Sequence, residues 1–216
     1  MAARPRRLVL LRHGETAHNA DGIWQGQLDT ELSVRGLAQA AAAGNALARV
    51  EAVRIVSSDL ARAARTAEIV GQALGIPLAL DERFREVHAG AWQGLTAAQV
   101  SERDPELRAA ILRGEDVKRG GDGESMRDVV DRVALGLDDL TAALGAGECA
   151  IICTHGAAAR ALASVLLGLE SSEAWRIFAE FGNCHWAEFV EGSSGWRLAA
   201  WNISSGHDAL VGESPP

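Results

Sequence analysis

Short, wholly apolar runs alternate along this chain with longer segments in which apolar residues recur every three to four positions. Leu8 to Leu11 is apolar throughout, too short for a helix, and suits a strand buried on both faces of a parallel sheet. From Ser33 to Val50 alanines and leucines fall at helical spacing, with Ser33 as N-cap. Val53 to Val56 predicts a second strand. A helix follows, with Ser57, Ser58 and Asp59 as candidate caps, and ends near Leu74, where Gly75, Ile76 and Pro77 stop it. Leu78 to Leu80 predicts a third strand. Beyond the irregular stretch ERFREVHAGAWQGLT, residues 96 to 122 hold only short helical fragments, broken by Pro105 and by Gly120, Gly121, Asp122 and Gly123.

A longer amphipathic helix is predicted from Glu124 to Leu144, with Met126, Val129, Val130, Val133, Leu137 and Leu140 on one face and an acidic start that suits the helix dipole. Cys149 to Thr154 predicts a fourth strand, and another helix runs to Leu167. HWAEFV and WRLAAWNI read as two antiparallel edge strands around a turn at Gly192 to Gly195. This alternation implies an α/β fold whose mainly parallel sheet is covered on both faces. Ligands of such sheets bind outside the carboxyl ends of the strands, at a topological switch point. One domain is expected over residues 1–216, fraying at 1–6 and 205–216.

Two strand ends break the apolar pattern with the same chemistry. The first runs into Arg12, His13 and Gly14, the fourth into His155 and Gly156. The connection from Gly14 to Leu32 is long for an α/β link, and loops of that length are commonly functional. Gly14 is expected to let backbone approach a ligand. A neutral imidazole, oriented through its other nitrogen, can attack phosphorus once the phosphate charge is neutralised. Arg12 offers a planar, bidentate partner for such a phosphate. Arg62, in the first turn of the second α-helix, adds a second guanidinium at a helix N-terminus, after a strand expected to neighbour the first. Two imidazoles and two arginines are thus expected to converge on one crevice. Taken singly, His18, His88, His185 and His207 read as structural histidines, and Arg65 as a surface residue. Glu86 is either a proton donor for a leaving oxygen or the ion-pair partner of Arg83 or Arg85; spacing alone leaves both open.

Composition narrows the ligand. The formal net charge is -8, from 29 acidic and 21 basic residues among 216, which argues against nucleic acid as a partner. An anionic substrate must therefore be drawn in by a few arginines gathered locally. Three cysteines without a CxxC pair point to reduced thiols. The apolar stretch before Arg12 is too short for a signal peptide, and nowhere do eighteen apolar residues run together, so the cytoplasm is expected and no membrane partner. No HxH, HExxH or EF-hand spacing supports a metal. Nucleotide-binding GxxxxGK[ST] and GxGxxG loops are missing. Six residues separate Cys153 from Arg160, one more than the cysteine phosphatase arrangement, so Cys153 reads as a small buried hydrophobe.

Taken in order, RHGET with Asn19 following, QGQLDTELS, SSDLARAARTA, EVHAGAWQG, GES and THG resemble the histidine phosphatase superfamily, also called phosphoglycerate mutase-like. The resemblance runs from Leu8 to about Leu167. It implies a three-layer α/β/α sandwich with a mainly parallel central sheet, a covalent phosphohistidine, and neither metal nor cofactor. It also implies His13 as nucleophile, Arg12, Arg62 and His155 as the phosphate pocket, and Glu86 as proton donor and then base. Asn19, Gln25, Gly26 and Gly156 match positions lining the substrate pocket, and His88 and Trp92 are candidates for a sugar-binding wall. The segment HAGAWQG and the short span to GES are similar to the phosphatase branch rather than to the mutases. A narrower similarity, in QGQLDTELS, HAGAWQGLT, GNCHW and WRLAAWN, is to the actinobacterial glucosyl-3-phosphoglycerate phosphatases. The expectation is a phosphatase for a small phosphorylated metabolite, with a homodimer allowed. A cofactor-dependent phosphoglycerate mutase and a non-catalytic phospho-ligand binding protein are the alternatives.

Overall fold

The computed structural model describes residues 4–206. The first and fourth apolar runs form β1 (Arg7–Arg12) and β4 (Cys149–Thr154), which pair in parallel with Arg12 opposite Thr154. Side chains alternate across the sheet, so Leu8 and Leu10 enter one hydrophobic core and Val9 and Leu11 the other. With β2 (Arg54–Ser57), β3 (Leu78–Leu80), β5 (Trp186–Gly192) and β6 (Gly195–Ile203), the sheet order is β3-β2-β4-β1-β5-β6. The first four of these positions are parallel, and β5 runs antiparallel to both of its neighbours, β1 and β6.

Two expectations change here. β2 pairs with β4, which lies between it and β1, so Arg62 follows the next strand but one from the first. β5 is an inner strand, bonded to β1 as well as β6, and of these two hairpin strands β6 alone lies at an edge of the sheet. Apolar alternation cannot distinguish these cases, because a central antiparallel strand and an edge strand with one covered face share the pattern.

The helices are α1 (Ala17–Ala20), α2 (Val34–Leu47), α3 (Ala61–Leu74), α4 (Ala97–Arg103), α5 (Pro105–Leu112), α6 (Met126–Ala142), α7 (Gly156–Leu167) and α8 (Ser171–Ile177). Residues of α2 and α3 fill one core and residues of α6 and α7 the other, giving the three-layer α/β/α sandwich. Ser33 caps α2 by accepting the Gly36 N–H, and Ser125 caps α6 in a reciprocal box with Asp128. That box starts α6 two residues later than the periodicity suggests. The expected caps of α3 do other work. Its N-cap is Leu60, without a side-chain bond, and Asp29 of the long β1–α2 connection accepts the Ala61 N–H at 2.7 Å. Asp59 instead pairs with Arg85. Pro105 stands at the first position of α5, where its missing N–H costs nothing. α8 was not expected from the sequence.

A third small cluster, Ala89, Trp92, Val100 and Ile111 with Trp24, fastens α4 and α5 beside the sheet. At the amino end, within the stretch expected to fray, Arg6 pairs with Glu191 at 2.6 Å and its carbonyl accepts the Glu191 N–H. The expected fraying at 1–3 and 207–216, and His207, lie outside the described residues. Among the described residues no helix is long and apolar enough to cross a membrane.

Candidate active site

Because β1 and β4 are adjacent and in register, their carboxyl ends deliver His13 and His155 side by side. The His13 N–H is bonded to Thr154 O, and the two ring centroids are 5.0 Å apart. The His13 carbonyl accepts from the Asn183 side chain and the Cys184 N–H, which ties the strand end to the loop before β5. His13 Nδ1 lies 2.7 Å from Gly14 O. A carbonyl only accepts, so Nδ1 carries the ring proton and Nε2 keeps its lone pair. Arg62 Nε donates to that nitrogen at 3.3 Å. Burial, then the positive charges of Arg62 and Arg12, hold His13 well below the usual imidazole value, so the ring is neutral at physiological pH.

His155 is fully buried, and its Nε2 is 2.9 Å from Ser58 Oγ. With Ser58 donating its hydroxyl proton there, the ring proton sits on Nδ1, an assignment from the network. Among the described residues Nδ1 has no partner. Burial first, then Arg62, His13 and Arg12, keep this ring neutral as well.

The two guanidinium groups complete the cluster. Arg62 is 1% exposed, and its terminal nitrogens donate to Leu28 O at 2.8 Å and Gly26 O at 2.7 Å. Burial pushes its pKa down to about 10, which leaves it charged. Arg12 donates to Phe181 O, while its buried Nε has no partner among the described residues, and burial lowers its pKa too. Neither arginine forms an ion pair with a described residue. Two buried cations without a carboxylate, and two orphaned N–H groups beside them, describe a site for an anion.

Glu86 stands opposite. Its carboxylate accepts the N–H groups of Ala157 at 3.2 Å and Ala158 at 3.1 Å, in the first turn of α7, and that of Val87 at 2.9 Å. Arg83 pairs with Asp81 and Asp139, and Arg85 with Asp59 and Glu82, which disposes of the ion-pair alternative for Glu86. Arg132, itself bonded to Glu124, donates to the carbonyls of Arg83, Arg85 and Glu86 and so fixes the segment. Glu124 is the acid of the GES stretch, and its work is this support.

Asn19 and Gln25 reach the same region with fixed polarity. Asn19 Oδ1 accepts from the Thr16 N–H and Asn183 Nδ2, and Gln25 Oε1 accepts from the hydroxyls of Thr16 and Thr30. With both oxygens occupied, the NH₂ ends are the free donors. Gly26 adopts φ +53°, and a Cβ there would lie 2.3 Å from Gln93 Oε1. Its carbonyl holds Arg62. Gly156 sits between Glu86 and Arg12, where a Cβ would meet both at ordinary contact distances of 3.8 and 3.9 Å.

Three expectations fail on geometry. A Cβ on Gly14 would meet Gly36 O at 2.5 Å, so the glycine admits the start of α2 rather than a ligand. Trp92 is fully buried against Trp24 and donates to Asp104 at 2.6 Å, so it cannot form a sugar-binding wall. His88 accepts the Gly90 N–H through Nδ1 and bonds Glu124 through its backbone, and among the described residues it makes no hydrogen bond to the cluster. Sequence reasoning passed over Ser58, read as a helix cap, and Asn183, whose asparagine in a loop carries no signal of its own. A polar cleft of about 620 Å³ with Arg12, Asn19, Glu180 and Asn183 in its walls adjoins the cluster.

Comparison with known proteins places this arrangement. The model of the histidine phosphatase superfamily, branch 1, matches residues 8–204. A glucosyl-3-phosphoglycerate phosphatase of Mycolicibacterium vanbaalenii is 39% identical over 94% of this chain and 96% of its own length. A probable phosphoglycerate mutase of Salmonella choleraesuis is 32% identical over 96% and 95%. The solved structure of a mycobacterial glucosyl-3-phosphoglycerate phosphatase complexed with VO3 superposes with a TM-score of 0.85 at 40% identity, covering 92% of this chain and all of that one. The chain is a member of the histidine phosphatase superfamily, branch 1.

Proposed function

We propose that the protein is a phosphatase of small phosphomonoesters that works through a phosphohistidine at His13, with glucosyl-3-phosphoglycerate as substrate. The observation that carries the chemistry is the lone pair of His13 Nε2, held 3.3 Å from Arg62 Nε inside a cluster of unpaired cations. Arg12 and Arg62 bind the phosphoryl oxygens and neutralise their charge, with the Asn19 and Gln25 amides as further donors. Nε2 attacks phosphorus while the bond to the leaving oxygen breaks, and Glu86 passes a proton to that oxygen. The Nδ1–H bond to Gly14 O stabilises the positive charge that develops on the ring. A water then attacks the phosphohistidine, gives its proton to Glu86, and inorganic phosphate leaves as the P–N bond breaks. His155 Nδ1–H supports the transferring group.

The substrate comes from likeness, since relatives 39% identical over nearly the whole chain carry that name. The test is the product. Incubation with glucosyl-3-phosphoglycerate should release stoichiometric phosphate with a higher kcat/KM than 3-phosphoglycerate, and 3-phosphoglycerate should be hydrolysed rather than isomerised. Accumulation of the 2-phospho isomer would establish the mutase reading, and saturable binding without turnover of any ester would establish a binding protein.

A further inference from the structure

Arg160 lies one turn beyond the cluster, on α7, and nothing described so far uses it. Helical side chains lean back toward the helix N-terminus, so a residue at this position lies over the first turn of α7, where the N–H groups of Ala157 and Ala158 are bonded to Glu86. Its guanidinium carbon stands 4.4 Å from the centroid of the Trp175 ring, in a stack that fixes the plane of the fork. The stack is its one recorded partner. Among the described residues Arg160 makes no hydrogen bond or ion pair, and its Nε is buried and orphaned. Arg12, Glu86 and Glu180 lie within its electrostatic range, yet neither carboxylate is close enough to pair with it.

An arginine pre-set by stacking, with its donors unfilled, beside the residue that protonates the leaving oxygen, is placed for the leaving group rather than for the phosphate. We propose that Arg160 is a specificity-determining residue, binding a carboxylate on the leaving group of the substrate, with Trp175 as its positioning residue. A carboxylate fits the planar fork in two parallel hydrogen bonds. The inference rests on the phosphatase reading and adds that the enzyme selects esters bearing a second acidic group.

Two esters differing at one carbon test it. 3-Phosphoglycerate and glycerol 3-phosphate share a phosphate and a secondary hydroxyl, and only the first has a carboxylate. The wild-type ratio of kcat/KM should favour 3-phosphoglycerate. Arg160→Met should lower that ratio by about tenfold to a hundredfold, the scale of hydrogen bonds to a charged group. Arg160→Lys should restore part of it through charge alone, and Trp175→Leu should lower it less, because the fork loses its support. Melting temperature and inorganic phosphate affinity, measured alongside, identify a misfolded variant, and the ratio for the remaining active fraction still decides. An unchanged ratio in Arg160→Met, or equal loss on both esters, overturns the assignment while leaving the phosphatase reading intact. Release of phosphate by the wild-type enzyme from neither ester, and none from glucosyl-3-phosphoglycerate, overturns both.

Discussion

Burying two neutral imidazoles side by side makes this fold sensitive to mild acid. His13 and His155 are 3% and 0% exposed, and burial with the nearby arginines holds both well below the ordinary value of 6.5. The unfolded chain carries these rings at about 6.5, so it binds protons there that the folded chain refuses. The folded values lie below the unfolded ones. Stability is therefore complete above about pH 6.5 and falls as the pH drops from there toward the folded values. One pH unit below the unfolded value, each ring costs the fold on the order of 1 kcal/mol, roughly 2–3 kcal/mol for the pair. That is a large part of a total in the range of about 5–15 kcal/mol. Urea unfolding at intervals from about pH 7.5 to 5.5, in buffer free of phosphate and sulfate, measures it. The control is the double variant His13→Asn, His155→Gln. Asn supplies a donor near the Nδ1 position bonded to Gly14 O, and Gln a polar atom near the Nε2 position bonded to Ser58. Wild type should lose roughly 2–3 kcal/mol more than the variant over this interval, whatever their absolute stabilities. Parallel curves would refute the burial of two uncharged rings.

Other substitutions probe single parts of the site. Arg62→Met should weaken inorganic phosphate binding by about tenfold to a hundredfold in equilibrium titration, since it removes charged hydrogen bonds to the anion. Arg62→Lys should recover little, because the fork also holds the Gly26 and Leu28 carbonyls. Glu86→Gln should slow hydrolysis of alkyl phosphates far more than of a nitrophenyl phosphate, whose leaving group needs no proton; equal slowing would remove Glu86 from the acid role. Gly26→Ala should cost about 1–3 kcal/mol in denaturant unfolding, because its φ of +53° and the Gln93 contact resist a Cβ, whereas Gly156→Ala should stay within about 1 kcal/mol of wild type.

What the sequence disclosed followed from local physics. A strand buried on both faces must be apolar throughout, so an arginine and a histidine at its end stand out, and the same sign repeats at His155. Charge imposed the next step, since a chain of net charge -8 can hold an anion only by massing arginines at one place. What stayed hidden depended on contacts between distant segments. The insertion of β4 between β2 and β1, the approach of Gly14 to the backbone of Gly36, the burial of Trp92 under α4 and α5, and the bond from Ser58 to His155 leave no mark on local periodicity. Arg160 is the sharpest case. In the sequence it figures only as the arginine spaced one residue too far from Cys153, and its stack on Trp175 and its empty donors set it apart.

The nucleophile remains the centre of the account. Brief incubation with glucosyl-3-phosphoglycerate, a rapid quench at neutral pH and mass analysis of the peptides should find one acid-labile phosphoryl group, on His13. His13→Ala should abolish both the label and turnover. A label on another residue, or hydrolysis that survives the loss of His13, would contradict the chemistry assigned to this site.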